Sequence, residues 1–348
     1  MQKCLEFALK GRRNVSPNPM VGCVIVYNDE IIGLGYHQEY GSYHAEMNAI
    51  STVKDKSLLK KSTLYVNLEP CAHFGKTPPC ANLIIEHKIP KVVIGCTDTF
   101  TKVSGNGIKK MRIGGVEVIV GVLEKESREL NTRFFTFHEK KRPYIILKWA
   151  ESKDRFIAPS NHKEPFWMTS KESKKSVHKW RAEEDAILVG RITAEKDNPS
   201  LTVRETKGKN PIRIVIDKNL KLSSNLNLFN KHSKTIIFNT IKTEKKTNNN
   251  FVKIDFNNLI INILKHLYKE KVQSLIVEGG RKTLQSFIDL KLWDEARIFT
   301  TNKELKDGLR SPILKGEAIK ETEIQGDKLS YYKPLSSLNI SKQSIESL

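Results

Sequence analysis

The chain has 348 residues, 39% hydrophobic and 28% charged, a globular balance that at roughly 100–200 residues per domain implies two domains. No apolar run approaches the roughly 18 residues that span a bilayer, and Met1–Arg13 mixes charged with apolar residues unlike a signal peptide, so no membrane partner and a cytoplasmic location are expected. The net charge of +20, from 59 Lys+Arg against 39 Asp+Glu, suits phosphates or nucleic acid, but dispersed lysines such as those in 241–247 leave the partner open.

Taken in chain order, residues 2–12 read as a helix, Val21–Tyr27 as a strand, Asn28-Asp29-Glu30 as a hairpin turn and Ile31–Tyr36 as the returning strand. His44–Val53 has helical spacing, Thr63–Leu68 reads as a strand, Pro79–His87 as a helix, and Lys91–Cys96 and Val116–Val120 as strands. Glu124–His138 carries Leu130, Phe134 and Phe137 at helical spacing. This alternation implies an α/β domain whose sheet is covered on both faces. Glu139-Lys140-Lys141-Arg142 before Pro143 marks the expected boundary, giving domains 1–142 and 143–348. Beyond it Tyr144–Trp149, Ala186–Val189, Ile212–Ile216, Thr235–Phe238, Ser274–Val277 and Ala296–Phe299 read as strands, and Leu259–Tyr268 and Lys282–Leu290 as helices. The Asn- and Lys-rich stretch from about 225 to 258 is expected to contain variable loops.

Five cysteines, an odd number, argue against a disulfide framework. Cys4, Cys23 and Cys96 sit in apolar surroundings and read as buried thiols. Cys71 and Cys80 differ, because they stand with His44-Ala45-Glu46, Glu69-Pro70-Cys71 and Pro78-Pro79-Cys80. One imidazole and two thiolates form the ligand type that selects Zn2+, and three protein ligands leave the fourth tetrahedral position for water. Zinc lowers the pKa of that water to about 7 and so provides hydroxide at neutral pH. Glu46 then serves as the catalytic proton shuttle rather than a ligand. Residues i and i+2 diverge in mid-helix, so His44 is expected in the first helical turn. The pattern fits the H-x-E…P-C-x-x-C signature of zinc deaminases, except that eight residues rather than two separate the cysteines.

Ser16-Pro17-Asn18-Pro19-Met20-Val21-Gly22, His44-Ala45-Glu46 and the run Leu68–Cys80 closely resemble the bifunctional riboflavin-biosynthesis deaminase–reductase family, whose variant of the motif has this long inter-cysteine loop. The resemblance implies a cytidine-deaminase-like three-layer N-terminal domain with His44, Cys71 and Cys80 on zinc and Glu46 catalytic. It also implies substrate contacts at Asn18 and His73, for which the plainer readings are a turn residue and a solvated loop histidine. The family's usual Asp-Pro-Asn-Pro is here Asp98-Thr99-Phe100-Thr101, whereas Gly105-Asn106-Gly107 fits.

The C-terminal half has no G-x-G-x-x-G. Arg181–Thr193 reads as a strand entering a Gly-marked turn, and Ile276-Val277-Glu278-Gly279-Gly280-Arg281-Lys282-Thr283-Leu284 as a strand, glycine loop and helix start that offers amides to phosphate. Arg181 and Arg204 are candidates to grip a phosphate, the plainer reading being solvated arginines. Together these segments resemble the family's dihydrofolate-reductase-like domain, which uses NADPH. Matching positions imply cofactor contacts at Ala150, Trp167, Thr193, Asp197, Gly280, Arg281, Lys282, Thr283 and Leu284, and substrate contacts at Arg181, Leu201, Arg204 and Glu278. Lys148, Ser152 and Asp154 match the opening K-x-x-x-S-x-D, but Arg155 replaces the usual glycine and Thr300–Leu314 departs from the family's wording.

The resemblance implies deamination of a phosphoribosyl pyrimidine, 2,5-diamino-6-ribosylamino-4(3H)-pyrimidinone 5′-phosphate. NADPH then reduces the ribosyl chain to give 5-amino-6-ribitylaminouracil 5′-phosphate. The family also implies a homo-oligomer and no nucleic-acid partner. The rival enzyme reading is a nucleic-acid-editing zinc deaminase with an accessory domain, and the non-enzymatic one a basic module with structural zinc.

Overall fold

The computed structural model describes residues 1–72, 74, 78–99, 105–160 and 166–335. The chain divides into two compact units, Met1–Pro143 with Lys265–Gln273, and Tyr144–Leu264 with the residues from Ser274 onward. No described helix is long and apolar enough to cross a membrane.

The first unit contains α1 (Gln2–Ala8), β1 (Gly22–Tyr27), β2 (Glu30–Tyr36), α2 (Ala45–Thr52), β3 (Thr63–Leu68), α3 (Cys80–Glu86), β4 (Lys91–Cys96), α4 (Asn106–Ile113), β5 (Glu117–Val120), α5 (Glu124–Leu130) and α6 (Thr132–Lys140). The sheet order is β2-β1-β3-β4-β5, antiparallel at β2-β1 and β1-β3 and parallel beyond. Asn28 and Asp29 close the β1–β2 hairpin with positive φ at both positions, the geometry that Asn and Asp tolerate.

Three layers follow from where side chains are missing. Cys23 pairs with Gly35, so both face one side of the sheet and Gly22 faces the other. A Cβ on Gly35 would strike the backbone of Ala45 and Ala49 in α2, and one on Gly22 would strike Cys4 in α1. The two helices therefore cover opposite faces, each at the distance only glycine allows. Cys23, Ile25, Ala49, Leu64, Val66 and Ile94 fill the core under α2 and α3.

The helix expected over Glu124–His138 is two helices. Asn131 (φ −104, ψ 25) breaks it, and its buried side chain accepts from Met20 N at 2.8 Å and donates to Met20 O at 2.9 Å. Pairing the half-buried main chain of Met20 took precedence over continuing the helix.

The second unit contains β6 (Tyr144–Glu151), β7 (Phe156–Ala158), α7 (Lys171–Glu183), β8 (Ala186–Gly190), α8 (Arg191–Asp197), β9 (Ile212–Ile216), β10 (Thr235–Asn239), β11 (Glu244–Lys245), β12 (Asn249–Lys253), the start of α9 (Leu259–Lys269), β13 (Ser274–Val277), α10 (Arg281–Asp289), β14 (Glu295–Thr300), β15 (Leu309–Arg310), β16 (Gly316–Ile324) and β17 (Asp327–Pro334). Ten strands run in the order β11-β12-β10-β9-β8-β13-β6-β14-β17-β16. The seven from β12 to β14 are parallel, and antiparallel strands close both edges. The stretch expected to contain variable loops also holds β12, which pairs in parallel with β10 from Thr235↔Asn249 to Asn239↔Lys253.

Arg181 lies in α7 rather than in a strand. Ser170 caps this helix by accepting from Ser173 N, and its buried face includes Ser173, His178 and Arg181. Val177, Trp180 and Ala182 share that face with these polar residues, and the mixture weakens the hydrophobic periodicity, which is why the pattern hid the helix.

The two departures near the opening of this unit meet in space. Asp154 accepts from Leu305 N at 3.1 Å and Lys306 N at 2.7 Å, and Arg155 O accepts from Ser311 N at 2.9 Å. Arg155 holds φ 68, the left-handed region that a glycine enters freely. Arg155→Gly is therefore expected to stabilise this unit by about 0.5–1 kcal/mol in urea unfolding, since the Arg155 guanidinium is exposed and its contact with Glu151, at 4.0 Å, is long and contributes little. A destabilised variant would show that the side chain outweighs the backbone strain.

Candidate functional sites

Three chain segments converge on the first unit's chemistry. His44 is the N-cap of α2 with extended backbone (φ −73, ψ 166), one position before the expected first turn. This releases its imidazole from the helix surface and resolves the divergence of i and i+2: His44 leaves from the cap while Glu46 lies in the first turn. Cys80 opens α3 behind Pro79, and Cys71 lies in the loop after β3.

His44 Nδ1 is 3.5 Å from Cys71 Sγ and 3.4 Å from Cys80 Sγ, and the three ligand atoms all lie within 4.8 Å of one another. Zn–S and Zn–N bonds of about 2.3 and 2.0–2.1 Å at a tetrahedral angle require an N···S edge of about 3.6 Å. Donor set and spacing therefore fit zinc. Cys71 also accepts the Cys80 N–H at 3.4 Å. Hydrogen bonding between the two thiols, chiefly, holds Cys71 well below the usual thiol range and pushes Cys80 above it. Two thiols competing for one proton are a pair that a divalent cation satisfies by taking both as thiolates.

Glu46 is 3% exposed, and burial raises its carboxyl pKa. Its carboxylate lies beside the Cys80 thiol, in the same cavity wall as His44, Cys71 and Asn18. Asn18 Nδ2 is 3.0 Å from His37 Nε2, and His37 Nδ1 is 3.0 Å from Tyr43 O. A carbonyl only accepts, so Nδ1 carries the ring proton and Nε2 takes the Asn18 amide. Burial lowers the His37 pKa, consistent with this neutral ring. The sequence reading did not single out His37; its only signal was a histidine just past an alternating strand.

Glu69 was also missed. Its carboxylate accepts from Asp98 N, Gly105 N, Gly107 N and Ile108 N at 3.2, 3.0, 2.9 and 3.3 Å, so it ties the loop after β4 and the start of α4 to the segment carrying Cys71. Gly107 fits the family pattern for a steric reason, because a Cβ there would strike Pro70 O. His73, Phe100 and Thr101 lie outside the described residues.

In the second unit, Arg181 donates through Nε and Nη2 to both oxygens of Glu278 at 3.1 and 2.7 Å. Lys148 Nζ stands 4.0 Å from Glu278 Oε2. Burial alone would push the Glu278 carboxyl up; Arg181 and Lys148 outweigh it and bring it down to about 2. Arg181 thus turns its fork to a carboxylate, whereas Arg204, an exposed residue, reaches Thr202 Oγ1 at 3.4 Å. With Lys148, Arg181 and Arg204 against Glu278, the cluster keeps an excess of positive charge suited to a phosphorylated ligand.

The strand–glycine–helix corners bring part of the cofactor set together. β8 ends at Gly190 and β13 leads into Gly279-Gly280, neighbouring parallel strands each followed by a helix. A Cβ on Gly190 would lie 2.7 Å from Thr283 Oγ1, and one on Gly280 (φ 74) 3.1 Å from Thr193 Oγ1. Thr193, Thr283 and the amides opening α10 therefore face a cradle without side chains, which fits a nucleotide's phosphates. Ala150 is near the carboxyl end of the adjoining β6, while Trp167 stands exposed with Lys174 Nζ 4.8 Å from its ring centroid. Asp197 ends α8, and Arg281 and Lys282 open α10. Leu201 and Leu284 are buried, at 2% and 1% exposure.

Residues 143–331 match the RibD C-terminal domain family, and residues 1–96 the cytidine and deoxycytidylate deaminase zinc-binding region. The riboflavin biosynthesis protein RibD of Aquifex aeolicus is 41% identical over 330 residues, covering 92% of this chain and 91% of that protein. A Thermotoga maritima crystal structure of a diaminohydroxyphosphoribosylaminopyrimidine deaminase/5-amino-6-(5-phosphoribosylamino)uracil reductase superposes with a TM-score of 0.87 at 36% identity, covering 96% of this chain and 97% of that one. Acinetobacter baumannii RibD superposes with the same TM-score and coverage at 26% identity.

Proposed function

The chain belongs to the RibD family of bifunctional deaminase–reductases in riboflavin biosynthesis, and from that premise we propose which molecule it transforms and which residues do so. Its halves carry the cytidine-deaminase-like and dihydrofolate-reductase-like folds that the sequence implied. We place their boundary at residues 142/143, immediately before β6. The substrate is 2,5-diamino-6-ribosylamino-4(3H)-pyrimidinone 5′-phosphate. The observation that carries the reading is the His44–Cys71–Cys80 trio with buried Glu46 beside it.

Zinc held by the three residues supplies a Lewis acid that lowers the pKa of water to about 7. Glu46 takes the proton of the attacking water on its carboxylate and returns it to the departing amine, a transfer favoured by a carboxyl whose burial brings it nearer neutrality. Asn18 contacts the pyrimidine, oriented by the neutral His37 ring; His73 is assigned to the same substrate. Ammonia leaves, and a carbonyl replaces the exocyclic amine.

When bound, NADPH would supply the hydride of the second step. Ala150, Trp167, Thr193, Asp197 and Gly280–Leu284 hold it, with the α10 amides and the glycine cradle on its phosphates. Arg204 holds the substrate phosphate, and Glu278 orients the ribosyl chain while Arg181 and Lys148 fix its carboxylate. Leu201 completes the wall. Reduction of the opened ribosyl chain gives 5-amino-6-ribitylaminouracil 5′-phosphate. We place the enzyme in the cytoplasm, where thiols stay reduced for the metal.

Mass spectrometry of timed reactions tests the order. Zinc-loaded protein without NADPH should stop at the deaminated ribosyl compound, and adding NADPH should carry that compound to the ribityl product. Reduction of the ribosyl chain before ammonia is lost would overturn this assignment.

A further inference from the structure

His178 lies three residues before Arg181 on α7, so the two share a face of the helix. It is 1% exposed, and its Nδ1 lies 3.2 Å from the main-chain N of Arg204. A backbone N–H can only donate, so Nδ1 is unprotonated and the ring proton sits on Nε2. The surrounding charges agree: Lys174, Arg181 and Arg204 face the ring against Glu205 and Glu278. Burial first, then these cations, hold His178 down to about 4, so it is an uncharged acceptor at neutral pH.

The segment between Leu201 and Arg204 is thereby fixed at both ends. Leu201 holds φ 52 with its side chain in the apolar core beside Val177 and Trp180. At the other end the Arg204 amide is fastened to His178, while its guanidinium stays at the surface.

We propose that His178 is a positioning residue of the reductase: through Nδ1 it fastens the main chain of Arg204 and so aims that guanidinium at the substrate phosphate. The inference rests on the reading above that Arg204 contacts the phosphorylated substrate. Losing one aimed hydrogen-bonded contact, worth about 1.4 kcal/mol, corresponds to about tenfold in affinity.

Substitutions can separate the acceptor from the bulk of the ring. In His178→Asn, Oδ1 takes the place of Nδ1 and keeps an acceptor for Arg204 N; in His178→Gln, the amide reaches the place of Nε2 instead. In the full-length zinc-loaded enzyme, His178→Gln and His178→Ala should raise KM for the phosphorylated ribosyl substrate about tenfold, with kcat within about twofold. KM for NADPH and the rate of ammonia release should not change. His178→Asn should stay within about threefold of the parent KM.

Inorganic phosphate gives a readout without turnover, raising the Tm of the parent and of His178→Asn more than that of His178→Gln or His178→Ala. Equal impairment of Asn and Gln, a fall in kcat with KM unchanged, or one phosphate shift shared by all variants would overturn the proposal. If the parent shows the phosphate shift and the Asn–Gln difference but oxidises no NADPH, the reductase reading fails and the positioning role stands.

Discussion

Glu46→Gln should cut ammonia release by roughly 10²–10⁴-fold while the protein keeps its zinc. The amide matches the carboxyl in shape but cannot take the water's proton at any pH. His44, Cys71 and Cys80 carry the metal without help from residue 46, so zinc content per chain should stay at the parent value. The fold should survive as well, because a site that already raises the carboxyl pKa accepts a neutral amide in its place. Reduction of the deaminated ribosyl compound should continue at the parent rate. The measurement pairs ammonia release with metal analysis of the same sample. Normal turnover would remove Glu46 from the mechanism, and loss of zinc together with activity would show that it supports the metal instead.

The second large effect is expected at Glu278. Arg181 and Glu278 are each 8% exposed and Lys148 16%, so removing the carboxylate strands two cations away from water. Breaking a buried pair in this way costs about 3–5 kcal/mol, more than the pair contributes net, since burying it was itself unfavourable. Glu278→Ala should therefore abolish NADPH oxidation and lower the urea stability of the second unit by that amount. Removing Arg181 as well should recover part of the loss, because one stranded charge disappears with it. Strictly additive losses in the double variant would mean that the two side chains are not coupled.

Much of the strand layout could be read in the sequence, because parallel strands buried on both faces stand out as short apolar runs such as Ile212–Ile216 and Ser274–Val277. What stayed hidden had another source of order. α7 buries Ser173, His178 and Arg181 among Val177, Trp180 and Ala182, so its inner face reads as mixed rather than apolar. Asn131 ends a helix for the sake of Met20, more than a hundred positions away. β12 contains Asn249 and Asn250, poor strand formers kept in register by β10. The zinc trio was legible because metal chemistry restricts its ligands to few residue types at few spacings. Glu69 and His37 were not, since their roles consist of hydrogen bonds to chain segments that only the fold brings near. The net charge of +20 was the main reason to weigh an editing deaminase, and full-length similarity to riboflavin enzymes does not favour that reading.

The central claim is that one chain carries two chemistries, with zinc confined to the first. Purified protein given the phosphoribosyl diaminopyrimidinone, with ammonia and NADPH followed in separate channels, tests it most directly when a chelator is added. The account predicts that chelation stops ammonia release and that NADPH oxidation persists when the deaminated ribosyl compound is supplied instead. Ammonia release that ignores the chelator, or reduction that stops with it, would contradict the account.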